Sequence, residues 1–235
     1  SIAVNGYDGT TWFSVGGNLQ NAIMGKEALR MNTTGSFNTA IGGKALTNNT
    51  TGSYNNAIGH GALALNTEGS FNTAIGYNSL MFNISGTENV ALGSNALREN
   101  SEGSGNIAVG GGTLFHNSTG MNNVALGSAS LGDITSGSNN FSVGGGLSGG
   151  CSGGLGSGNV AIGQYSLFCG GDRSYNIAIG EYSGGINGDG NITIGTWASS
   201  GGTSSVAIGN NTGLNSGGEY NLFLGESADA LLTSI

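Results

Sequence analysis

Two cysteines, two histidines and thirteen carboxylates are the side chains of this 235-residue chain with the means for covalent, metal or acid–base chemistry. Cys151 and Cys169 stand seven and six residues after Gly144 and Gly163, two glycines of one recurring register. Stacked strands bring Cα atoms to about 5 Å, inside the roughly 4.4–6.8 Å span of a disulfide. The two are therefore a candidate disulfide, which suits an extracellular setting. Neither has a histidine or a further cysteine near it to complete a zinc set. His60 and His116 fall in different coils, too far apart to share a ligand set, and are expected as surface turn residues. Glycoside cleavage needs two carboxylates roughly 5–9 Å apart. The pairs to consider are Glu99 with Glu102, beside Arg98, and Glu68 with Glu102, which share a repeat position two coils apart. Neither belongs to a cleft motif, and solvated charge is the expectation. No Gly-x-Ser-x-Gly elbow is paired with a histidine. The glycine-rich stretch 144–158 lacks the Lys-Ser or Lys-Thr of a phosphate loop. No catalytic, metal-binding or cofactor-binding residue is assigned, no cofactor is called for, and the chain is expected not to be an enzyme.

Composition limits the elements able to position such groups. Glycine supplies 49 residues, proline none, and charged residues only 8%. Glycine and asparagine are poor helix formers, which disfavours a helical or α/β globule. Collagen requires proline and glycine at every third position. The net charge of -8, with Lys26, Arg30, Lys44, Arg98 and Arg173 as the basic residues, argues against a nucleic-acid partner. No apolar run approaches the ~18 residues of a membrane-spanning helix, so direct membrane insertion is not expected.

The repeat sets the architecture. A glycine preceded by a large aliphatic residue recurs with a period of 17 from Gly42 to Gly144, with Gly25 one step earlier. Gly163, Gly180, Gly195, Gly209 and Gly225 follow at steps of 19, 17, 15, 14 and 16. The clearest copy runs Asn38-Thr39-Ala40-Ile41-Gly42-Gly43-Lys44-Ala45-Leu46 and then Asn49-Thr50-Thr51-Gly52. Its two short apolar pieces, Ala-Ile and Ala-Leu, suit two strands of a coil that is too small to bury a core alone but can stack. The expected fold is all-β, a parallel β-solenoid (β-roll) of about 13 coils. At ~4.8 Å per coil it would be a rod roughly 60 Å long. The residue before the glycine, as in Ile41, Ile58 and Ile75, is expected in the core. From Val90 onward the residue two places earlier is also apolar, as in Ile107 and Val124, so the core is expected to thicken toward the C-terminus.

Asn38, Asn55, Asn72, Asn89, Asn106 and Asn123 fall four residues before the glycine and are expected to form a structural hydrogen-bonded ladder. Asn32, Asn49, Asn66, Asn83, Asn100 and Asn117 form a second column, and several of these begin Asn-x-Ser/Thr sequons. Residues 1–20 precede the register as an N-terminal cap or a connection to a preceding domain. Residues 21–227 are the solenoid, with the glycine-rich insertion at 144–158. Residues 228–235 are a C-terminal cap or the start of a neck.

The phrase Asn-Thr-Ala-Ile-Gly-x-x-Ala-Leu, followed by Asn-Thr-Thr-Gly, resembles repeats of phage tail fibres and bacterial surface fibre proteins. Ser205-Val206-Ala207-Ile208-Gly209-Asn210-Asn211-Thr212 is similar to the head repeat of trimeric autotransporter adhesins. The dominant period of 17 is longer than that of the adhesin head, and no clear neck motif follows the repeats. The resemblance implies a left-handed parallel β-roll, a homotrimer, and attachment to a cell surface through a glycan or protein receptor. The setting is extracellular, on a virion tail fibre or a bacterial surface. Exposed aromatics off the core register, Tyr54, Phe71, Tyr77, Phe115 and Tyr165, are the candidate receptor contacts. Alternatives are an ice-binding solenoid, from the hydroxyl column Thr33, Thr50, Thr67, Ser101, Ser118 and Thr135 interrupted by Ile84, and a carbohydrate-active solenoid enzyme.

Overall fold

The computed structural model describes residues 20–145, 156–167, 173–184, 188–214 and 218–229, together with the backbone of two strands near the start. Cys151, Cys169 and most of the glycine-rich insertion lie outside the described residues.

The chain divides into two compact units, 1–123 and 124–235. The first holds β1 (Gly6–Tyr7), β2 (Trp12–Val15), β3 (Ala22–Met24), β4 (Thr39–Ile41), β5 (Asn56–Ile58), β6 (Thr73–Ile75), β7 (Val90–Leu92) and β8 (Ile107–Val109). From β3 to β8 each strand pairs in parallel with the next, and equivalent residues lie opposite one another, as Ala40 does Ala57 and Ile41 does Ile58. β2 pairs antiparallel with β3, and β1 with β2, so the first parallel strand does not present a bare edge. The second unit holds β9 (Val124–Leu126), β10 (Phe141–Val143), β11 (Val160–Ile162), β12 (Ile177–Ile179), β13 (Ile192–Ile194), β14 (Val206–Ile208) and β15 (Leu222–Leu224), again paired in parallel and in register. The five turns of the first unit and the six of the second are the coils of a parallel β-solenoid, the fold the repeat predicts.

Each coil has one strand, not two. After the strand, Gly42 to Asn48 form a run of turns in which residues with positive φ alternate with others: Gly42 at 124°, Lys44 at 61° and Leu46 at 51°. Alternate amides then serve different purposes. Ala45, Thr47 and Asn49 donate within the coil to the carbonyls of Gly42, Lys44 and Leu46. Lys44, Leu46 and Asn48 donate to neighbouring coils, at Lys26, Ala62 and Ala64. The Ala-Leu piece is thus a ladder of turns whose backbone groups are satisfied as fully as those of a strand.

The large aliphatic residue before the glycine lies outside, contrary to expectation. Ala40, Ala57, Ala74, Ala91 and Ala108 are fully buried, while Ile41, Ile58 and Ile75 are 36–41% exposed. Successive strand residues point to opposite faces, so one of Ala and Ile must face out. The interior behind so short a strand is already occupied by Leu46, Leu63, Leu80, Leu97 and Leu114 from the turn run and by two columns of asparagine, all fully buried. Only a methyl group fits beside them. Nor does the core thicken toward the C-terminus. Val90, Ile107, Val124 and Phe141 share the outward parity of the strand, and their apolar surface adds to the outer face.

The core leucines all adopt φ near 51°, a conformation costing roughly 1–2 kcal/mol for an L-residue. Burial of the side chain, worth about 1.5–3 kcal/mol, offsets it. Glu88 has the same strain with no burial: it is exposed at φ 59°, where Gly105, Gly158 and Gly190 occupy the equivalent place at 68–71°. Glu88→Gly is expected to stabilise the protein by up to about 1 kcal/mol, measured by chemical denaturation; no gain would show that the left-handed turn carries no strain.

Candidate functional site

The inward asparagines are structural. Asn55, Asn72, Asn89, Asn106 and Asn123 each donate a main-chain N–H to the side-chain Oδ1 of the asparagine one coil earlier, at 2.9–3.0 Å. Asn38 donates in the same way to Asn21 at 2.7 Å. The Nδ2 groups of Asn38, Asn55, Asn72, Asn89 and Asn106 donate to the glycine carbonyls of Gly52, Gly69, Gly86, Gly103 and Gly120 at 2.8–2.9 Å. In the second unit the pattern continues through Asn140, Asn159, Asn176 and Asn191.

The second column is bonded amide to amide, from Asn49 to Asn32, Asn66 to Asn49, and so on to Asn117, at 2.7–2.9 Å. It stops at Asn117, whose buried Oδ1 has no hydrogen-bond partner among the described residues. Asn49, Asn83 and Asn117 begin sequons, but each is fully buried as a rung of this column and inaccessible to a glycosyltransferase.

Thr33, Thr50 and Thr67 donate their hydroxyl hydrogens to the carbonyls of Thr50, Thr67 and Ile84 on the next coil, and Ser101 does so to Ser118. These hydroxyls knit coils together and offer solvent only their acceptor lone pairs.

The aromatic candidates fall into four separate groups. Tyr54 and Phe71 belong to one ladder with Phe37: adjacent ring centroids are 4.9 Å apart and the planes within 8° of parallel. Tyr77 stacks on His60 at 5.8 Å. Phe115 lies edge-on to His116 and forms, with Phe82, a sandwich around Arg98, whose guanidinium is 5.0 Å from one ring and 5.3 Å from the other. Glu99 is 3.3 Å from Arg98 and 2.8 Å from His116 Nδ1, so it is tied into that cluster. Tyr165 starts a ladder with Tyr182 and Trp197, at centroid spacings of 4.9 and 4.3 Å and angles of 16° and 7°. Elsewhere in the second unit, burial lowers the pKa of Arg173 while the nearby Asp189 acts in the opposite direction, and the guanidinium stays charged.

Phe37, Tyr182 and Trp197 were not singled out by sequence. The signal is present in the register: Phe37, Tyr54 and Phe71 each precede a ladder asparagine, and Tyr165, Tyr182 and Trp197 each stand two residues after a strand-end glycine. Position in the coil, rather than hydrophobicity along the chain, identifies them. Among the described residues no three of His, Cys, Asp and Glu come together as a metal site, and no helix is long and apolar enough to cross a membrane. Comparisons with protein families, with curated proteins and with solved structures find no match.

Proposed function

We propose that this chain is a structural and adhesive fibre protein, a β-roll shaft or head that associates as a homotrimer outside the cell and mediates attachment to a host or target cell surface. The observation that supports it most is the outward face of the sheet. In the first unit the outward column Ile41, Ile58 and Ile75 and the ladder Phe37, Tyr54 and Phe71 flank the polar column Thr39, Asn56 and Thr73. Where Glu88 ends the aromatic column, Val90 and Ile107 replace the polar Thr39, Asn56 and Thr73 on the strand. Each of these coils therefore turns at least two apolar residues outward. In the second unit every strand turns two large apolar residues outward.

Of these, Phe141, Ile208, Leu222 and Leu224 are 38–66% exposed and the other ten are half-buried. With ~60–120 Å² at stake per side chain, these fourteen residues expose on the order of a few hundred Å², within the range of an interaction patch. A second and third copy of the same ribbon would cover it symmetrically. Multivalent display then lets weak contacts per chain add up to firm attachment.

Light scattering is expected to give three times the 23.1 kDa mass of the chain. Ile58→Asp combined with Ile179→Asp, both on the outer face, is expected to give the monomer mass and to abolish attachment of the labelled protein to cells. A wild-type mass near 23.1 kDa would rule out the trimer.

A further inference from the structure

Past Leu167 the second unit changes cross-section. The strand spacing falls from 17 to 15 between β12 and β13 and to 14 between β13 and β14. The core leucine four residues after the strand-end glycine gives way to Gly184, Ser199 and Gly213. Beside the missing side chains is an open groove of about 200 Å³, lined by Tyr165, Tyr182, Trp197, Gly184, Ser199 and Leu214. The three rings are stacked parallel, and Trp197 ends the ladder at 50% exposure. The next position of the column is Asn211, whose side chain is much shorter than an indole. Among the described residues no further ring stacks on Trp197, and half of this residue stays exposed. The side-chain hydroxyls that line the groove are those of Tyr165, Tyr182 and Ser199.

The chemistry of this groove narrows its ligand. Parallel rings form no cage, so a quaternary ammonium is not enclosed. Arg173 is the one basic residue between 124 and 235, and no basic side chain lines the groove, which disfavours an acidic polymer. Single-stranded nucleic acid also stacks on aromatic platforms but needs a positive track for its phosphates. What remains is a neutral ring with an apolar face and a rim of hydroxyls.

We propose that the Tyr165–Tyr182–Trp197 groove binds a neutral oligosaccharide, with the C–H face of one pyranose on the outer face of Trp197 and its hydroxyls meeting the polar rim. The proposal rests on the attachment reading above and names the receptor chemistry for it.

The test uses the full chain and a panel of neutral oligosaccharides built from glucose, galactose, mannose and N-acetylglucosamine, followed by tryptophan fluorescence and calorimetry. At least one is expected to bind and to perturb the tryptophan emission. Trp197→Ala is expected to weaken that binding at least about tenfold, while Tyr175→Ala, 72% exposed and outside the groove, leaves it unchanged. Oligogalacturonate is expected to bind at least tenfold more weakly. Absence of binding by the whole panel, equal binding by Trp197→Ala, or equal binding of the acidic sugar each overturns the proposal. Cell attachment scored in parallel separates the two readings. If the wild type attaches and Trp197→Ala attaches equally, the groove is wrong and the fibre stands. If sugar binds through Trp197 but the wild type fails to attach, the groove stands and the attachment reading fails.

Discussion

Asn72→Ala is expected to destabilise the first unit by about 2–4 kcal/mol. The side chain is fully buried and bonded on three sides. Its Oδ1 accepts from the Asn89 main-chain N–H at 3.0 Å, and its Nδ2 donates to the Gly86 carbonyl at 2.8 Å and to Asn55 Oδ1 at 3.2 Å. Alanine removes all three and leaves the buried Asn89 main-chain N–H unpaired, at a cost of roughly 1–3 kcal/mol, while the Gly86 carbonyl keeps its bond from Asn83 Nδ2 at 2.9 Å. The loss falls on two coil interfaces at once, because the residue receives from one neighbour and gives to the other. In a solenoid, stability is close to a sum of such interfaces, so the damage is concentrated where it is made. Asn56→Ala is the control: its side chain is exposed on the outer face of β5, and a change within about 0.5 kcal/mol is expected. Denaturant titration followed by circular dichroism compares the two. Equal effects would mean that the ladder contributes no more than surface polarity.

Gly76→Ala is expected to cost more than about 4 kcal/mol or to prevent folding of its coil. Gly76 has φ 137°, a region open to glycine and not to residues with a Cβ. A Cβ there would also stand 2.6 Å from the carbonyl carbon of Gly93 on the next coil, and the backbone cannot yield as a flexible side chain would. Two other glycines separate these causes. Gly225 occupies the same register position at φ 111° with open space around its Cβ, and Gly112 is left-handed at 63°, also with open space. Gly112→Ala is expected to cost about 1–2 kcal/mol. Gly225→Ala carries backbone strain of roughly 1–3 kcal/mol without the collision. If Gly76→Ala matched Gly225→Ala in thermal denaturation, close stacking of the glycine column would not be what excludes a side chain there.

The period of 17 and the strand-end glycine already imply the stacked parallel coil, because identical residues at equal spacing lie in register when the coils repeat. The same spacing aligns the asparagines, the hydroxyls and the aromatics in columns. Composition likewise limits the elements: with 49 glycines and no proline, short strands and turns are what the chain can form. Parity is not legible in the chain. Ala40 and Ile41 are adjacent, and either could face inward. The choice depends on what else fills a narrow interior, and the fully buried Leu46 and Asn49, further along the coil, leave room only for the alanine. The left-handed turn at Leu46 is hidden for a related reason. Leucine has no local preference for positive φ, and it takes up φ 51° because burial and the hydrogen bonds to neighbouring coils outweigh the strain. The partners of each ring also depend on the fold. The stacking of Tyr182 on Trp197 joins two residues across a coil shorter than the rule, and the groove beside them exists because Gly184 and Ser199 stand where a core leucine stood in the longer coils. One-dimensional order determined which residues share a column; three-dimensional packing determined which columns face water, since only close-packed volume decides between two side chains on opposite faces of one strand.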